Sequence, residues 1–220
     1  MTIPSNPLET MLAHILALRP AGTVDVQRFS VEMYRLLALG QPVDPAQLGR
    51  ILDVSADAVL RRLADWPALV QRDPEGRVTG WGGLGLEPTP HRFEVAGRTL
   101  YTWCAWDALF IPEILGRSAR AVSRCPQTGA IVQLELSPGG IPHASPPGLV
   151  VTFPPVDPRA LRADVLGSFC CEVHFFSSAD AGRAWAATRP GVVLVSVEEA
   201  WQLGRRKNAE QFNLAGLPIA

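Results

Sequence analysis

Hydrophobic residues in the first third of the chain recur at the three- and four-residue spacing of amphipathic helices. This spacing predicts four helices, whose apolar positions fall within residues 8–16, 29–37, 48–52 and 59–63. The third helix is expected to begin at Asp44-Pro45, a capping side chain followed by proline, and the fourth is expected to begin at Ser55. Two short extended runs within residues 69–81 flank an Asp-Pro-Glu-Gly turn sequence, which predicts a hairpin.

The order helix, turn, helix and hairpin is typical of a winged helix, whose usual function is DNA binding. The charge balance argues against that function, because residues 1–80 hold eight Arg and no Lys against nine Asp plus Glu. The whole chain has a net charge of −1. Since nucleic-acid binding depends on neutralising phosphates, we expect no nucleic-acid partner. A metal-responsive transcription regulator built on this part is the corresponding alternative, and tight, salt-sensitive DNA binding would support it.

Beyond a glycine- and proline-rich stretch at residues 81–90, the pattern changes to β-strands with flanking helices. Strands are predicted at residues 91–95, 98–101, 119–124, 130–136, 148–153, 168–176 and 192–197. Residues 137–147 are predicted to form a proline-rich loop, and helices are expected from residues 178 and 198. The predicted fold is α+β: a winged-helix-like helical part (1–80), a linker (81–90) and an α+β core (91–220) with a mixed β-sheet and flanking helices, in which any chemistry is expected to lie.

Composition and cysteine usage restrict the setting in which the chain works. It is 47% hydrophobic and 19% charged, which is enough apolar material for a sizeable core. Residues 1–20 contain neither a basic segment followed by an apolar run nor a membrane span, so we expect a cytoplasmic protein with no membrane partner. Without an export signal, the four cysteines are expected to be reduced thiols rather than disulfides, and the lack of a Cys-x-x-Cys pair argues against a zinc knuckle or a thioredoxin-type centre.

Cys104 and Asp107 lie in an apolar run, residues 103–110, that predicts a buried helix. A spacing of three residues places the thiol and the carboxyl on one helix face. Burial raises the pKa of a carboxyl, so Asp107 could hold or accept a proton near neutral pH. The alternative is structural, with an Asp near the helix N-terminus interacting with the helix dipole beside a buried cysteine.

Cys170 is the second candidate thiol, and Cys171 follows it directly. In a strand over residues 168–176, positions 168, 170, 172 and 174 form a polar face, and positions 169, 171, 173 and 175 form an apolar one. This alternation selects Cys170 for a site and predicts that Cys171 is a small core residue. Cys125 lies in a turn sequence and is interpreted as structural, and His174 as hydrogen-bonded rather than catalytic. The remaining histidines, at positions 14, 91 and 143, show no metal-ligand spacing.

Several motifs in order resemble one known family. They are Leu-Tyr-Thr-Trp-Cys-Ala-Trp-Asp at 100–107, Gly-Arg-Ser-Ala-Arg at 116–120, Cys-Pro-Gln-Thr-Gly at 125–129 and Ser-Phe-Cys-Cys-Glu-Val-His-Phe-Phe at 168–176. The sequence is similar to the alkylmercury (organomercurial) lyases of bacterial mercury resistance over about residues 91–204, and more loosely before them. The resemblance implies that Cys104 and Cys170 hold the mercury, that Asp107 beside it carries the proton, and that Cys125 is the family's structural cysteine.

The resemblance also implies a reaction and its participants. The carbon–mercury bond of an alkyl- or arylmercury compound would be cleaved by a proton, giving a hydrocarbon and Hg(II). No resident cofactor is expected. Small external thiols would release the Hg(II), which would then be transferred to mercuric reductase. Trp103, Trp106 and Phe110 would suit a hydrophobic pocket, although aromatic residues at helical spacing are also ordinary core. The alternative function is a soft-metal carrier or sensor without lyase activity, which would need no acid beside its thiols.

Overall fold

The structure is a computed structural model that describes residues 6–18 and 22–212. Its α-helices are α1 (Pro7–Leu18), α2 (Val24–Leu37), α3 (Pro45–Leu52), α4 (Ala56–Ala64), α5 (Ala105–Leu115), α6 (Pro158–Ala163), α7 (Val165–Ser168), α8 (Ala179–Ala186) and α9 (Val197–Gln211). Its strands are β1 (Val70–Arg72), β2 (Val78–Trp81), β3 (Leu84–Gly85), β4 (His91–Val95), β5 (Arg98–Thr102), β6 (Ala119–Arg124), β7 (Ile131–Ser137), β8 (Gly140–Ser145), β9 (Val150–Phe153), β10 (Phe175–Phe176) and β11 (Val193–Ser196). The predicted α+β class is confirmed.

The four helices and the hairpin predicted before residue 81 all form. The caps are those expected: the Asp44 side chain accepts a hydrogen bond from the Ala46 N–H at 2.7 Å, and Ser55 accepts one from the Ala58 N–H at 3.2 Å. Each satisfies a helical N–H that has no partner inside its own helix. The order of these elements is the predicted one, and the winged-helix assignment stays a prediction.

The strands form one sheet of eight, in the order β1-β2-β3-β5-β4-β6-β7-β8, and a second sheet in the order β10-β9-β11. Every strand pair in the described residues is antiparallel, so the mixed sheet expected from the sequence does not form. Short turns join most neighbouring strands of the large sheet, and parallel pairing would need longer crossovers. Strand β3 lies inside the stretch interpreted as a linker and pairs with both β2 and β5. The division into domains stays a prediction.

Two segments differ from their predicted structure. Most of residues 168–176 is not a strand, because α7 and a 3₁₀ turn (Cys170–Glu172) occupy it and only Phe175–Phe176 is extended. Asp164 caps this segment by accepting the Gly167 N–H at 3.0 Å, a local bond that competes with strand formation. Residues 137–147, predicted as a loop, contain β8, which pairs with β7. Strand β8 is an edge strand, and its Pro142 falls where the β7–β8 register is irregular; sheets accept proline at both kinds of position.

Helix α5 is the centre of the core. All but one of its residues are buried, as expected for a helix that is apolar on every side. Side-chain hydrogen bonds hold it against α9, and two of them reach backbone carbonyls: the Trp106 indole N–H donates to the Ala200 carbonyl at 2.9 Å, and the Asn208 amide donates to the Phe110 carbonyl at 3.0 Å. Within residues 6–18 and 22–212, no helix combines the length and the hydropathy needed to cross a bilayer.

Candidate active site

Cys104 and Asp107 lie at the N-terminus of α5. Cys104 has extended backbone angles and is the N-cap, so it precedes the helix rather than lying within it as the sequence suggested. Asp107 is the third helical residue, and its Oδ2 accepts the Cys104 N–H at 2.9 Å. The Asp107 N–H donates in turn to the Cys104 thiol, which completes a capping box in which cysteine replaces the usual serine or threonine. The thiol and the carboxyl are therefore fixed to each other by backbone geometry.

Cys170 reaches the same place from the 3₁₀ turn that follows α7. The Ala105 N–H, at the start of α5, donates to the Val173 carbonyl at 3.1 Å and ties this turn to the helix end. On the other side, the Thr152 hydroxyl of β9 donates to the Glu172 carbonyl at 2.8 Å. As a result, the two thiol sulfurs and one Asp107 oxygen lie within 4.8 Å of one another.

The choice of Cys170 over Cys171 agrees with the structure, but the argument that led to it is wrong. No strand alternates side chains here. Instead, the 3₁₀ turn directs Cys170 inward and leaves Cys171 exposed, with its thiol donating to the Gly167 carbonyl at 3.0 Å. The prediction that Cys171 is a core residue is therefore wrong. In a 3₁₀ turn, which has about three residues per turn, consecutive side chains point in different directions around the axis, so Cys170 and Cys171 do not share an environment.

Burial raises the pKa of all three groups. It raises the pKa of Asp107 to about 6, and hydrogen bonds from Cys104 and the positive charge of Lys207 only partly oppose this. Burial, the hydrogen bond to Cys170 and the nearby Asp107 charge raise the pKa of Cys104 well above its ordinary value. The same hydrogen bond lowers the pKa of Cys170, but burial and the Asp107 charge outweigh it, so the net shift is upward. Near neutral pH both thiols are protonated, and Asp107 is the group closest to its titration range.

An apolar cavity opens onto this cluster. It is lined by Ile15, Leu18, Tyr34, Leu69, Gly82, Gly83, Trp103, Trp106, Asp107, Phe110, Val165, Phe169, Cys170, Lys207 and Gln211. The three aromatic residues proposed from the sequence are all present in this wall. Asp107 and Cys170 reach the cavity, whereas Cys104 is fully buried and lies behind them. A molecule that enters the cavity therefore meets Cys170 and Asp107 first.

Sequence reasoning missed two features of the cavity. Lys207, the chain's only lysine, is buried on α9 with its ammonium 3.7 Å from the centroid of the Phe110 ring. Gly83 packs directly on Asp107, so closely that a Cβ built on it would lie 2.3 Å from Oδ1. The pair Gly82-Gly83 was visible in the sequence, but only as part of a flexible-looking stretch. Nothing in the spacing of Lys207 relates it to Asp107, 100 residues earlier.

Cys125 and His174 do not join the cluster. Cys125 is buried in a separate apolar group with Phe176 and Trp185, and hydrogen bonds from Thr128 and Ser177 lower its pKa to about 7 despite the opposing effect of burial. The His174 ring packs on Trp185 at 5.5 Å between centroids. In the part of the chain that the structure describes, Cys104, Asp107 and Cys170 are the only such convergent set of three or more metal-ligating side chains. The structural interpretation of Cys125 stays a prediction.

Known proteins resemble this chain in both sequence and fold. Residues 84–207 match the sequence model of the family described as MerB: Alkylmercury lyase. A protein from Pseudomonas putida named alkylmercury lyase is 42% identical over 79% of this chain and 80% of its own length. One of the same name from Streptomyces lividans is 42% identical over 79% and 78%, and one from Staphylococcus epidermidis is 38% identical over 80% of each. A solved structure described as the mercury-bound form of MerB2 has the same fold, with a TM-score of 0.72 over 93% of this chain and 98% of that one, at 23% identity.

Proposed function

Because the chain belongs to the alkylmercury lyase family, we propose that it cleaves the carbon–mercury bond of alkyl- and arylmercury compounds with Cys104, Cys170 and Asp107. The observation that carries this proposal is the convergence of two thiols and one carboxyl within 4.8 Å at the wall of an apolar cavity. Two thiols alone would suit a carrier of soft metal ions. The buried acid beside them is the part that a carrier does not need.

Mercury binding is the first stage of the proposed reaction. Mercury is a soft cation and prefers thiolate over oxygen or nitrogen ligands. An organomercurial R–Hg bound to a small thiol exchanges onto Cys170, and the Cys170 proton leaves with the departing thiol. Cys104 then gives its proton to the Asp107 carboxylate and binds the same mercury atom through its sulfur. The second sulfur increases electron density on the mercury-bound carbon and weakens the carbon–mercury bond.

Proton transfer to carbon is the second stage. Asp107 returns the proton it took from Cys104 to the carbon atom, the carbon–mercury bond breaks, and the products are R–H and Hg(II) held by two thiolates. A pKa of about 6 suits this double use, because the group both accepts and donates a proton near neutral pH. The apolar cavity receives the hydrocarbon group and keeps competing water away from the acid.

Product release completes the proposed cycle. Two small external thiols replace Cys104 and Cys170 on the Hg(II), and we propose that the ion then passes to mercuric reductase. In this scheme mercury is substrate and product, and no resident cofactor takes part. The four free cysteines support a cytoplasmic location, where small thiols keep such groups reduced.

The direct test is hydrocarbon release from phenylmercury or methylmercury by the purified protein in excess thiol. We expect benzene or methane with the intact protein and none with Cys170→Ser. If the intact protein binds mercury tightly but releases no hydrocarbon, the chain is a soft-metal carrier and the lyase proposal is wrong.

A further inference from the structure

The turn between β2 and β3 lies directly against the proposed acid. It consists of Gly82 and Gly83, both with positive φ, at 51° and 106°. A Cβ at Gly83 would lie 2.3 Å from Asp107 Oδ1 and 2.4 Å from its Cγ. Real Cβ atoms do not approach other atoms this closely. Glycine is therefore required at position 83 both by the backbone conformation and by the contact with the carboxyl.

Hydrogen bonds hold this turn from both sides. The Tyr34 hydroxyl, on α2, donates to the Gly82 carbonyl at 2.7 Å, although the two residues are 48 positions apart. The Trp103 N–H donates to the Gly83 carbonyl at 2.8 Å, immediately before Cys104. Tyr34 is buried, and its bond to Gly82 is part-buried at the wall of the cavity. The position of the turn thus depends on a helix from the first part of the chain and on the strand that leads into α5.

The carboxyl of Asp107 is consequently constrained at both oxygens. Oδ2 accepts the Cys104 N–H, and Oδ1 packs on the Gly83 backbone. We infer that Gly83 is a positioning residue for Asp107, and that Tyr34 is a second positioning residue that acts through the Gly82–Gly83 turn. The inference rests on the proposed function, in which Asp107 must point at the mercury-bound carbon.

The orientation of the Asp107 carboxyl matters because, in the proposed reaction, its proton must be delivered directly to the mercury-bound carbon. A displacement of about 1 Å at a reacting group can reduce a rate by about 10²-fold. The closest contacts of the turn are with Tyr34 and Asp107, so we expect a displaced turn to act on the carboxyl and to leave mercury binding by the two thiols intact. Loss of turnover with retained binding is the signature that distinguishes positioning from general damage.

Gly83→Ala tests the contact with the carboxyl, and Gly97→Ala is its matched control. Gly97 also has positive φ, 72°, but a Cβ there has no atom within 4 Å, so that variant carries the backbone strain without the contact. We expect kcat for benzene release from phenylmercury to fall about 100-fold in Gly83→Ala and to stay within threefold of the parent protein in Gly97→Ala. Both variants should still bind one Hg(II) per chain. A kcat for Gly83→Ala within threefold of that of Gly97→Ala would overturn the inference for Gly83.

Tyr34→Phe tests whether Tyr34 positions Asp107 through the Gly82–Gly83 turn. The substitution removes one hydroxyl without changing the shape of the ring. Tyr101→Phe makes the same chemical change at the other tyrosine of the chain, a half-buried residue of β5. We expect Tyr34→Phe to lower kcat about tenfold with KM within twofold of the parent value, and Tyr101→Phe to change neither. A proportional rise in KM with unchanged kcat, or equal effects in both variants, would show that Tyr34 has no positioning role.

A crystal structure of Gly83→Ala separates this inference from the proposed function. The distance from Cys104 N to Asp107 Oδ2, 2.9 Å here, should lengthen beyond hydrogen-bonding range, whether or not the protein is a lyase. If the parent protein releases no hydrocarbon but this distance lengthens, the proposed function fails and the positioning contact stands. An unchanged distance would refute the positioning contact independently of any activity.

Discussion

The backbone N–H of Cys104 donates to the carboxylate of Asp107 at 2.9 Å, and this one bond both caps α5 and orients the proposed acid. The sequence left a catalytic and a structural interpretation of the pair as alternatives. In the structure the carboxyl that completes the cap is also the one that lines the cavity, so the two interpretations do not exclude each other. A useful substitution must therefore remove the acid and keep the cap, and asparagine does so because its side-chain oxygen can accept the same N–H.

Asp107→Asn should abolish most turnover and leave mercury binding intact. Asparagine keeps the hydrogen bond to Cys104 but cannot carry the proton between thiol and carbon. Since general acid–base catalysis contributes about 10²–10⁴-fold, we expect hydrocarbon release to fall by at least about 100-fold. Gas chromatography of the released benzene measures the rate, and the ultraviolet absorption of mercury–thiolate bonds measures binding. Turnover close to that of the parent protein would remove Asp107 from the mechanism.

Cys104→Ser and Cys170→Ser should each lose both tight Hg(II) binding and hydrocarbon release, because a single sulfur remains and serine is a poor ligand for a soft ion. Cys171→Ser is the matched control: it lies next to Cys170 but is exposed and outside the cluster. We expect it to retain the parent rate within about twofold, since surface substitutions away from a site have small effects. Mercury titration with hydrocarbon analysis distinguishes the three variants, and an inactive Cys171→Ser would show that the wrong cysteine has been assigned.

The three residues that converge in the candidate site could be selected from the sequence because they lie in short motifs whose order resembles that of a known family. The helices before residue 81 could also be found, since each has an apolar period and a local cap. Residues 168–176 show the limit of this reasoning. Their alternation fits a strand, but Asp164 caps a helix and a 3₁₀ turn in the same stretch, and a pattern of apolar residues does not rank these alternatives.

Contacts between distant segments were not accessible from the sequence. Gly83 and Lys207 reach Asp107 from β2–β3 and from α9, and neither has a periodicity or a spacing that refers to α5. Strand β3 was missed because its two residues are too few to form a pattern, although pairing on both sides stabilises them in the sheet. The pairing of β3 and the contacts of Gly83 and Lys207 with Asp107 result from tertiary packing, and the local sequence preference does not predict them.

Lys207→Met should move the pH dependence of turnover to higher pH. The positive charge of Lys207 lowers the pKa of Asp107, so its removal raises that pKa further above about 6. Because Asp107 must be ionised to accept the thiol proton, the acid limb of kcat/KM against pH should shift upward. Methionine preserves most of the packing on Phe110.

Arg206→Met is the control for that experiment. It removes a positive charge from the neighbouring residue, which is half exposed and pairs with Glu9 at 2.7 Å outside the cavity. We expect its pH profile to match the parent profile. Coincident profiles for Lys207→Met and the parent protein would show that Lys207 does not set the proton affinity of Asp107.

Asp107→Asn should also stabilise the protein, and increasingly so as pH rises above about 4. The pKa of Asp107 is raised from 3.8 to about 6 on folding, so the folded state binds more protons than the unfolded state between these values. The free energy of unfolding therefore falls as pH rises through this window, and the ionised carboxyl costs about 3 kcal/mol above it. Asparagine does not ionise and avoids this cost.

Urea unfolding at pH 4 should show nearly equal free energies of unfolding for the parent protein and Asp107→Asn. At pH 7.5 the variant should be more stable than the parent by up to about 3 kcal/mol. A difference that does not change with pH would mean that Asp107 has an ordinary pKa, and the proton transfer proposed here would lose its physical basis.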